Sequence, residues 1–295
     1  MKNFNYIKAT DVRAALAILD REGGKARVVA GGTNVMVDIR AGKMNELTLV
    51  GIGDINALRG IRQGSGKISV GALTTISELA KSPLLAREAP ALYMAANVFA
   101  DAVTRNTATI GGNIAYASPA ADTAPALLVL KAEVLLESVE GKRRVPMADF
   151  FSGVNRTVLQ PNELIIAIEF APNHQSAFFK LGLRNAMAIS VATAACAAQL
   201  SNDGLLDDCA IALGSVAPTP LRAYEAERLL IGLKPDAQNL AKALAAVERE
   251  LNPIDDIRAT AAYRKEIAPV LVKRALLKAC CVCGCDDDNV REGRG

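Results

Sequence analysis

Two glycine pairs, each followed by small polar residues, have the residue types and spacing of a candidate anion-binding site. Gly31-Gly32 is followed by Thr33 and Asn34, and Gly111-Gly112 is followed by Asn113. Glycine tolerates positive φ and has no Cβ, so successive backbone N–H groups can converge on one anionic oxygen. Threonine and asparagine side chains can add donors. The two pairs therefore predict loops that hold a pyrophosphate between them, although a tight turn without a ligand also explains either pair alone.

The second pair lies within TRNTATIGGNIAYASPAAD, residues 104–122, whose pattern is typical of neither a helix nor an ordinary strand. Small polar residues surround the glycines, Ser118-Pro119 interrupts the chain, and Asp122 begins an apolar stretch. We predict that the backbone turns sharply here or that a ligand approaches it closely.

The sequence contains a single histidine, His174. A multi-histidine metal site is therefore excluded, and any Ser-His-Asp or Cys-His arrangement would depend on this one residue. Its context, PNHQS, predicts an exposed turn between strands. Chemistry in this protein would consequently come from a bound cofactor.

The six cysteines fall into two groups. Cys196 and Cys209 lie in apolar runs and are predicted to be buried core thiols. Cys280, Cys281, Cys283 and Cys285 form CCVCGC, a spacing that matches no standard zinc or iron–sulfur pattern. We predict that residues 281–295 form a flexible tail, with metal binding as the alternative.

Composition limits the class of protein. The chain has 295 residues, is 51% hydrophobic and carries a net charge of +3, which predicts a globular protein and argues against a nucleic-acid-binding one. The N-terminus has no apolar signal region, and no stretch approaches the ~18 apolar residues of a membrane span. These features predict a cytoplasmic protein without a membrane span.

The elements that must position the glycine pairs follow from local patterns. Residues 10–22 predict a helix with Thr10 as its N-cap, and residues 27–30 predict a strand that ends at Gly31. Further predicted elements before the second pair are strands at 47–52 and 67–72, a helix from Thr75, and a helix at 91–100.

In the remaining chain, predicted helices and strands first alternate, and then three strands are followed by three helices. Helix 124–131, strand 132–138, a strand and turn at 142–151, and strand 163–170 are predicted first. Strands at 176–183, 191–200 and 207–216 precede helices at 222–232, 237–251 and 259–279, the last with Arg and Lys on its exposed side. This order predicts an α+β fold divided into domains 1–173 and 174–280.

VVAGGTN and TIGGNIAYASPAAD resemble the two FAD-contacting loops in the flavin subunit of the molybdenum hydroxylases, the family of xanthine, carbon monoxide and nicotinate dehydrogenases. The likeness runs from about residue 3 to residue 278. It implies an FAD-binding domain of the PCMH type with two α/β subdomains, followed by a smaller α+β domain with a short antiparallel sheet and helices. The implied cofactor-binding residues are Val28, Val29, Ala30, Gly31, Gly32, Thr33, Asn34, Val35, Phe99, Thr109, Ile110, Gly112, Asn113, Ser118, Asp122, Ile165 and Lys180.

The resemblance also implies roles for these residues. The loops would bind the pyrophosphate, Asp122 would accept hydrogen bonds from ribityl or adenosine hydroxyls, and Ile165 would lie beside the isoalloxazine. Lys180 would lie near the pyrimidine edge of the ring, where a cation favours the reduced flavin. No catalytic residue and no metal ligand is implied in this chain.

The implied activity is electron transfer within a heterotrimer. FAD would receive electrons from a small [2Fe-2S] subunit after a large molybdopterin-containing subunit has oxidised the substrate, and two heterotrimers would pair. NAD-dependent members carry an acidic residue near the flavin, where RNAMAIS, residues 184–190, has none. This difference argues against NAD⁺ as the electron acceptor and leaves a quinone, a protein or oxygen open. The alternatives are a stand-alone FAD-dependent reductase and a flavin-free assembly subunit.

Overall fold

Three main β-sheets follow one another along the chain, with helices before, between and after their strands. The computed structural model that shows them describes residues 4–44, 48–184 and 188–280.

The first sheet is parallel, with strand order β1–β3–β2. Its elements are β1 (Asn5–Lys8), α1 (Val12–Glu22), a 3₁₀ turn (Gly23–Lys25), β2 (Ala26–Val29), α2 (Val35–Arg40) and β3 (Thr48–Gly51). Helix α1 begins one residue later than predicted, because Asp11 rather than Thr10 is its N-cap and accepts a 2.8 Å hydrogen bond from the Ala14 N–H. A carboxylate next to the helix N-terminus is favoured by the helix dipole.

The second sheet is antiparallel, with order β4–β5–β10–β6–β7. Its strands are β4 (Ile61–Gly64), β5 (Lys67–Gly71), β6 (Glu133–Ser138), β7 (Gly141–Pro146) and β10 (Leu164–Phe170), and β8 (Phe151–Gly153) pairs with β9 (Arg156–Thr157) in a separate hairpin. The helices in this stretch of the chain are α3 (Ile76–Ala80), α4 (Pro83–Glu88), α5 (Pro90–Asn97), α6 (Ala102–Thr107), α7 (Ile110–Tyr116), α8 (Thr123–Val129) and α9 (Met147–Phe150), with a 3₁₀ turn at Asn56–Leu58 before β4. Helices α5 and α8 also pack against the third sheet. The predicted start at Thr75 is confirmed, since Thr75 and Glu78 form a reciprocal capping box.

Residues 104–122 differ from the prediction. The segment contains the end of α6 and all of α7, so Gly111 and Gly112 lie in the first turn of a helix rather than in a loop after a strand. Thr109 caps this helix by accepting a hydrogen bond from the Gly112 N–H. A helix of only one or two turns with a glycine pair has low intrinsic propensity, so tertiary packing decides its conformation.

The third sheet is antiparallel, with order β11–β12–β13–β14. Its elements are β11 (Ser176–Gly182), β12 (Ser190–Leu200), β13 (Leu206–Gly214), β14 (Leu221–Arg222), α10 (Tyr224–Arg228), α11 (Ala237–Glu250) and α12 (Ala261–Ala279). Cys196 and Cys209 are buried in the core between this sheet and its helices, as predicted. Burial raises the pKa of both thiols.

Helix α12 corrects one prediction, because not all of its basic residues face solvent. The side chain of Arg264 is 2% exposed and donates to the backbone oxygens of Val191 and Ser215 at 2.8 and 2.7 Å. It also bonds Asp256 at 2.8 Å. Arg264 therefore ties α12 to the third sheet and to the loop before the helix.

The α+β class is confirmed, and the division at residues 173/174 stays a prediction. His174 lies in a loop with its side chain 75% exposed, as predicted. Within the described residues no helix is long and apolar enough to cross a membrane. The predicted tail, with Cys281, Cys283 and Cys285, lies outside the described residues, as do Ala186 and Met187 of RNAMAIS.

Candidate functional site

A cleft of ≈ 680 Å³ lies between the first and second sheets and is lined by residues of both glycine pairs. Its volume is within the range of about 300–1,000 Å³ typical of small-molecule and cofactor sites. The loop from β2 to α2 forms one wall, and α7 forms the facing wall.

The first glycine pair shapes its wall in two ways. Gly32 has φ +72°, a left-handed conformation that favours glycine. A Cβ on Gly31 would lie 1.7 Å from the backbone oxygen of Thr107, so only glycine lets this loop approach the α6–α7 junction. In the described part of the chain, the backbone N–H groups of Gly32, Thr33 and Asn34 donate no hydrogen bond to a protein acceptor. They are therefore available to an anionic oxygen in the cleft.

The second glycine pair lets α7 lie against the second sheet. A Cβ on Gly111 would lie 2.8 Å from both Cβ and the backbone oxygen of Ala72. Gly112 faces the cleft beside Thr109. The two pairs thus have different roles. Gly31 lets the β2–α2 loop approach the α6–α7 junction, whereas Gly111 lets α7 pack closely against Ala72, just after the end of β5.

Asn113, which follows the second pair, has a fixed orientation. Its Oδ1 accepts a 2.6 Å hydrogen bond from the Thr123 hydroxyl. The amide nitrogen is therefore the donor that this side chain can offer to the cleft. Arg27, Lys43 and Arg156 also line the cleft, so its polar part contains several cations suited to a phosphate-containing ligand.

The other part of the cleft is apolar. Ile165 of β10 is buried, and Phe99 is half-buried against the same core. Glu163 also lines the cleft and is held by Arg143 at 2.5 Å. Burial raises the pKa of this carboxyl group, but the hydrogen bonds from Arg143 and the Gln160 N–H together lower it below its usual value. The cleft therefore suits an elongated molecule with an anionic centre and an apolar planar end.

Asp122 and Lys180 form a buried ion pair beside this region. The Lys180 Nζ lies 2.6 Å from Asp122 Oδ2, with side chains 8% and 6% exposed. Ser190 donates to the other carboxylate oxygen at 2.5 Å, and Lys180 also donates to the backbone oxygen of Val98. Burial raises the pKa of Asp122, against the opposing effects of Lys180 and Ser190.

The structure brings most of the predicted cofactor-binding residues together. Those that line the cleft are Val28, Ala30, Gly31, Gly32, Thr33, Asn34, Val35, Phe99, Thr109, Gly112, Asn113 and Ile165. Those that do not line it are Val29, Ile110, Ser118, Asp122 and Lys180. In particular, both oxygens of Asp122 already accept hydrogen bonds from protein side chains, so the predicted contact of Asp122 with ligand hydroxyls is not prepared in this structure.

Sequence reasoning missed two cleft residues that contact each other, Asp38 of α2 and Tyr116 of α7. Asp38 could have been noticed as the one acid in the apolar run VMVDIR, four residues after Asn34. At that spacing the two side chains share one face of a helix. No comparable signal connects Tyr116 to Asp38, because the contact joins positions 78 residues apart.

Two protein families match the chain in succession. The family described as "FAD binding domain in molybdopterin dehydrogenase" matches residues 2–172. The family described as "CO dehydrogenase flavoprotein C-terminal domain" matches residues 177–279.

Individual proteins match over nearly the whole chain. The carbon monoxide dehydrogenase medium chain of Hydrogenophaga pseudoflava is 33% identical over 95% of this chain and 98% of its own length. A putative xanthine dehydrogenase FAD-binding subunit of Escherichia coli K12 is 30% identical, with 95% and 97% covered. A solved structure of the Hydrogenophaga pseudoflava carbon monoxide dehydrogenase lacking the Mo-pyranopterin moiety of its cofactor matches with a TM-score of 0.91, at 32% identity and with 96% and 99% covered. With this cleft, fold and full-length similarity, the chain belongs to the FAD-binding subunit family of the molybdenum hydroxylases.

Proposed function

We propose that this chain is the FAD-carrying electron-transfer subunit of a heterotrimeric molybdenum hydroxylase. The observation that carries the proposal is a cleft of cofactor size, where the backbone N–H groups of Gly32–Asn34 have no protein acceptor among the described residues. The resemblance of both glycine motifs to FAD-contacting loops supports the same assignment.

The cleft residues fit FAD in order along its length. The loop from Val28 to Val35 would hold the pyrophosphate, with Thr109, Gly112 and Asn113 on the facing wall. The apolar part at Phe99 and Ile165 would hold the isoalloxazine and exclude water from one of its faces. Bound FAD supplies the capacity to take up electrons and release them one or two at a time.

Lys180 is proposed to act on the flavin ring from beside this apolar part. A buried cation near the ring stabilises negative charge that develops on reduction. Asp122 shares that cation in the present structure, so its proposed contact with cofactor hydroxyls requires a rearrangement of the pair.

The partners and location belong to the same proposal. Relatives are named medium chains, and this chain would likewise assemble with a large molybdopterin-containing subunit and a small [2Fe-2S] subunit, in a dimer of heterotrimers in the cytoplasm. Electrons would arrive from the iron–sulfur clusters and leave to an external acceptor. The absence of a carboxylate in RNAMAIS favours an acceptor other than NAD⁺.

Purification of the full chain, alone and with its partner subunits, tests the proposal. We expect a yellow protein whose released cofactor is FAD and whose flavin is reduced when the molybdenum subunit is given its substrate. A full chain that binds no FAD in either form would contradict the assignment and favour an assembly subunit. A yellow chain that turns over NAD(P)H with a substrate of its own would favour the stand-alone reductase.

A further inference from the structure

A buried carboxylate faces the cleft with an incomplete set of hydrogen bonds. Asp38 is 9% exposed, lies one helical turn after Asn34 on α2, and lines the cleft. Among the described contacts, its carboxylate receives one hydrogen bond, from the Tyr116 hydroxyl at 3.3 Å. A buried carboxylate has room for several donors, and leaving its acceptor sites unused is unfavourable. The remaining sites can be completed by donors of a ligand in the cleft.

Tyr116 holds this carboxylate from the opposite wall. Its own position is set by the β8–β9 hairpin, since the Asn155 side chain donates to the Tyr116 backbone oxygen at 3.0 Å and the Asn155 N–H donates to Ala117. Burial raises the pKa of Tyr116, and Asp38 raises it further, so the phenol is protonated at neutral pH and donates to Asp38. The donor that orients Asp38 is therefore neutral and fixed.

The place of Asp38 relative to the phosphate-binding loop limits what can reach it. The Asp38 N–H donates to the Asn34 backbone oxygen, so the side chain lies one turn, about 5.4 Å, along the helix from that loop. Arg27 and Lys43 line the same cleft, and Arg27 lies on β2, the strand before the loop that leads to α2. In a dinucleotide whose pyrophosphate is held at this loop, the ribose of the adenosine half is joined directly to one of the two phosphates. That ribose can therefore reach a side chain one helical turn from the loop. Ribose hydroxyls are donors that a carboxylate accepts.

We propose that Asp38, positioned by Tyr116, accepts hydrogen bonds from the ribose hydroxyls of the adenosine half of the cofactor and so selects a dinucleotide over a mononucleotide. This inference rests on the proposed binding of FAD. It adds a recognition residue for the half of the cofactor that takes no part in electron transfer.

Binding measurements on the full chain test the inference without any activity assay. Dissociation constants for FAD and FMN would come from flavin fluorescence, and those for ADP, its 2′-deoxy and 3′-deoxy analogues and inosine diphosphate from calorimetry. The variants are Asp38→Leu, Asp38→Asn, which keeps the shape, and Tyr116→Phe. Val37→Ala, at an exposed position on the same helix, is the matched control.

We expect Asp38→Leu to weaken FAD and ADP about tenfold or more, and Asp38→Asn and Tyr116→Phe to weaken them less. FMN affinity should stay unchanged in every variant. At least one deoxy analogue of ADP should bind the unaltered chain about tenfold more weakly than ADP does. The same analogue and ADP should bind the Asp38→Leu variant with equal affinity.

Different failures are distinguishable. If the unaltered chain binds no FAD, the proposed function fails and this inference fails with it. If the chain binds FAD but Asp38→Leu binds it equally well, or loses FMN affinity to the same extent, only this inference is overturned. A loss of affinity for inosine diphosphate without a loss for either deoxy analogue would overturn the assignment to ribose.

Discussion

At the scale of single residues, the glycine pairs matter because they have no Cβ, which allows close packing of the backbone around the cleft. The clash that a Cβ on Gly31 would make with the Thr107 backbone shows how closely the β2–α2 loop approaches the junction of α6 and α7. The chemistry of this pair follows from its residue types, since glycine is the only residue that offers both left-handed φ and unobstructed N–H groups. The contact with Thr107 does not follow from them, because it joins distant parts of the chain.

Gly31→Ala should therefore separate the two walls of the cleft. The Cβ cannot be accommodated against a backbone oxygen without a shift, and overpacking of this kind costs about 1–3 kcal/mol. We expect a lower free energy of unfolding in denaturant and a weaker affinity for FAD. Gly64→Ala is the control, since Gly64 lies on exposed β4 with open space around its Cβ position. An unchanged FAD affinity in Gly31→Ala would contradict the role assigned to this close approach.

At the scale of elements, α7 and α12 show where local patterns lead to wrong expectations. The glycine pair in α7 argued against a helix, yet Thr109 caps one and Ala72 packs against it. In α12, the basic residues argued for a solvated face, yet Arg264 is buried. In each case a contact from another element outweighs the intrinsic preference of the segment.

Arg264→Met should destabilise the packing of α12 on the third sheet. The substitution removes the guanidinium that donates to the backbone oxygens of Val191 and Ser215 and to the carboxylate of Asp256. We expect a loss of roughly 3 kcal/mol in the free energy of unfolding, measured in denaturant. Lys265→Met, at the neighbouring exposed position of the same helix, should change it little. Equal stability of the two variants would show that Arg264 contributes nothing specific.

At the scale of the whole molecule, ion pairs join the N-terminal and C-terminal parts of the chain. Asp122 and Lys180 form a buried pair, whereas Lys131 and Asp208 form an exposed one with side chains 56% and 46% accessible. A buried pair that loses one partner leaves a charge without compensation, while an exposed pair contributes little.

Lys180→Met should destabilise the protein more at neutral than at mildly acidic pH. Burial already raises the pKa of Asp122, and removing the opposing effect of Lys180 raises it further. The folded state then holds the Asp122 proton more tightly than the unfolded chain, so its stabilising effect is present at acidic pH and is lost as the pH rises through the raised pKa. Unfolding in denaturant at both pH values measures the difference.

Two controls belong to this measurement. Lys131→Met breaks the exposed pair and should cost less than about 1 kcal/mol at either pH. Asp122→Asn combined with Lys180→Met removes the buried charge and should abolish the extra loss at neutral pH. A pH-independent effect of Lys180→Met would contradict the assignment of the loss to Asp122.

The sequence by itself determined the order and type of most elements, the α+β class, the buried thiols and the two glycine motifs. These features depend on periodicity and residue type, which neighbouring residues carry. Only the tertiary structure decided that α7 is helical, that Arg264 is buried, that Lys180 is paired with Asp122, and that Asp38 meets Tyr116 across the cleft. Each of these depends on contacts between residues far apart in sequence, whose energies no local pattern contains.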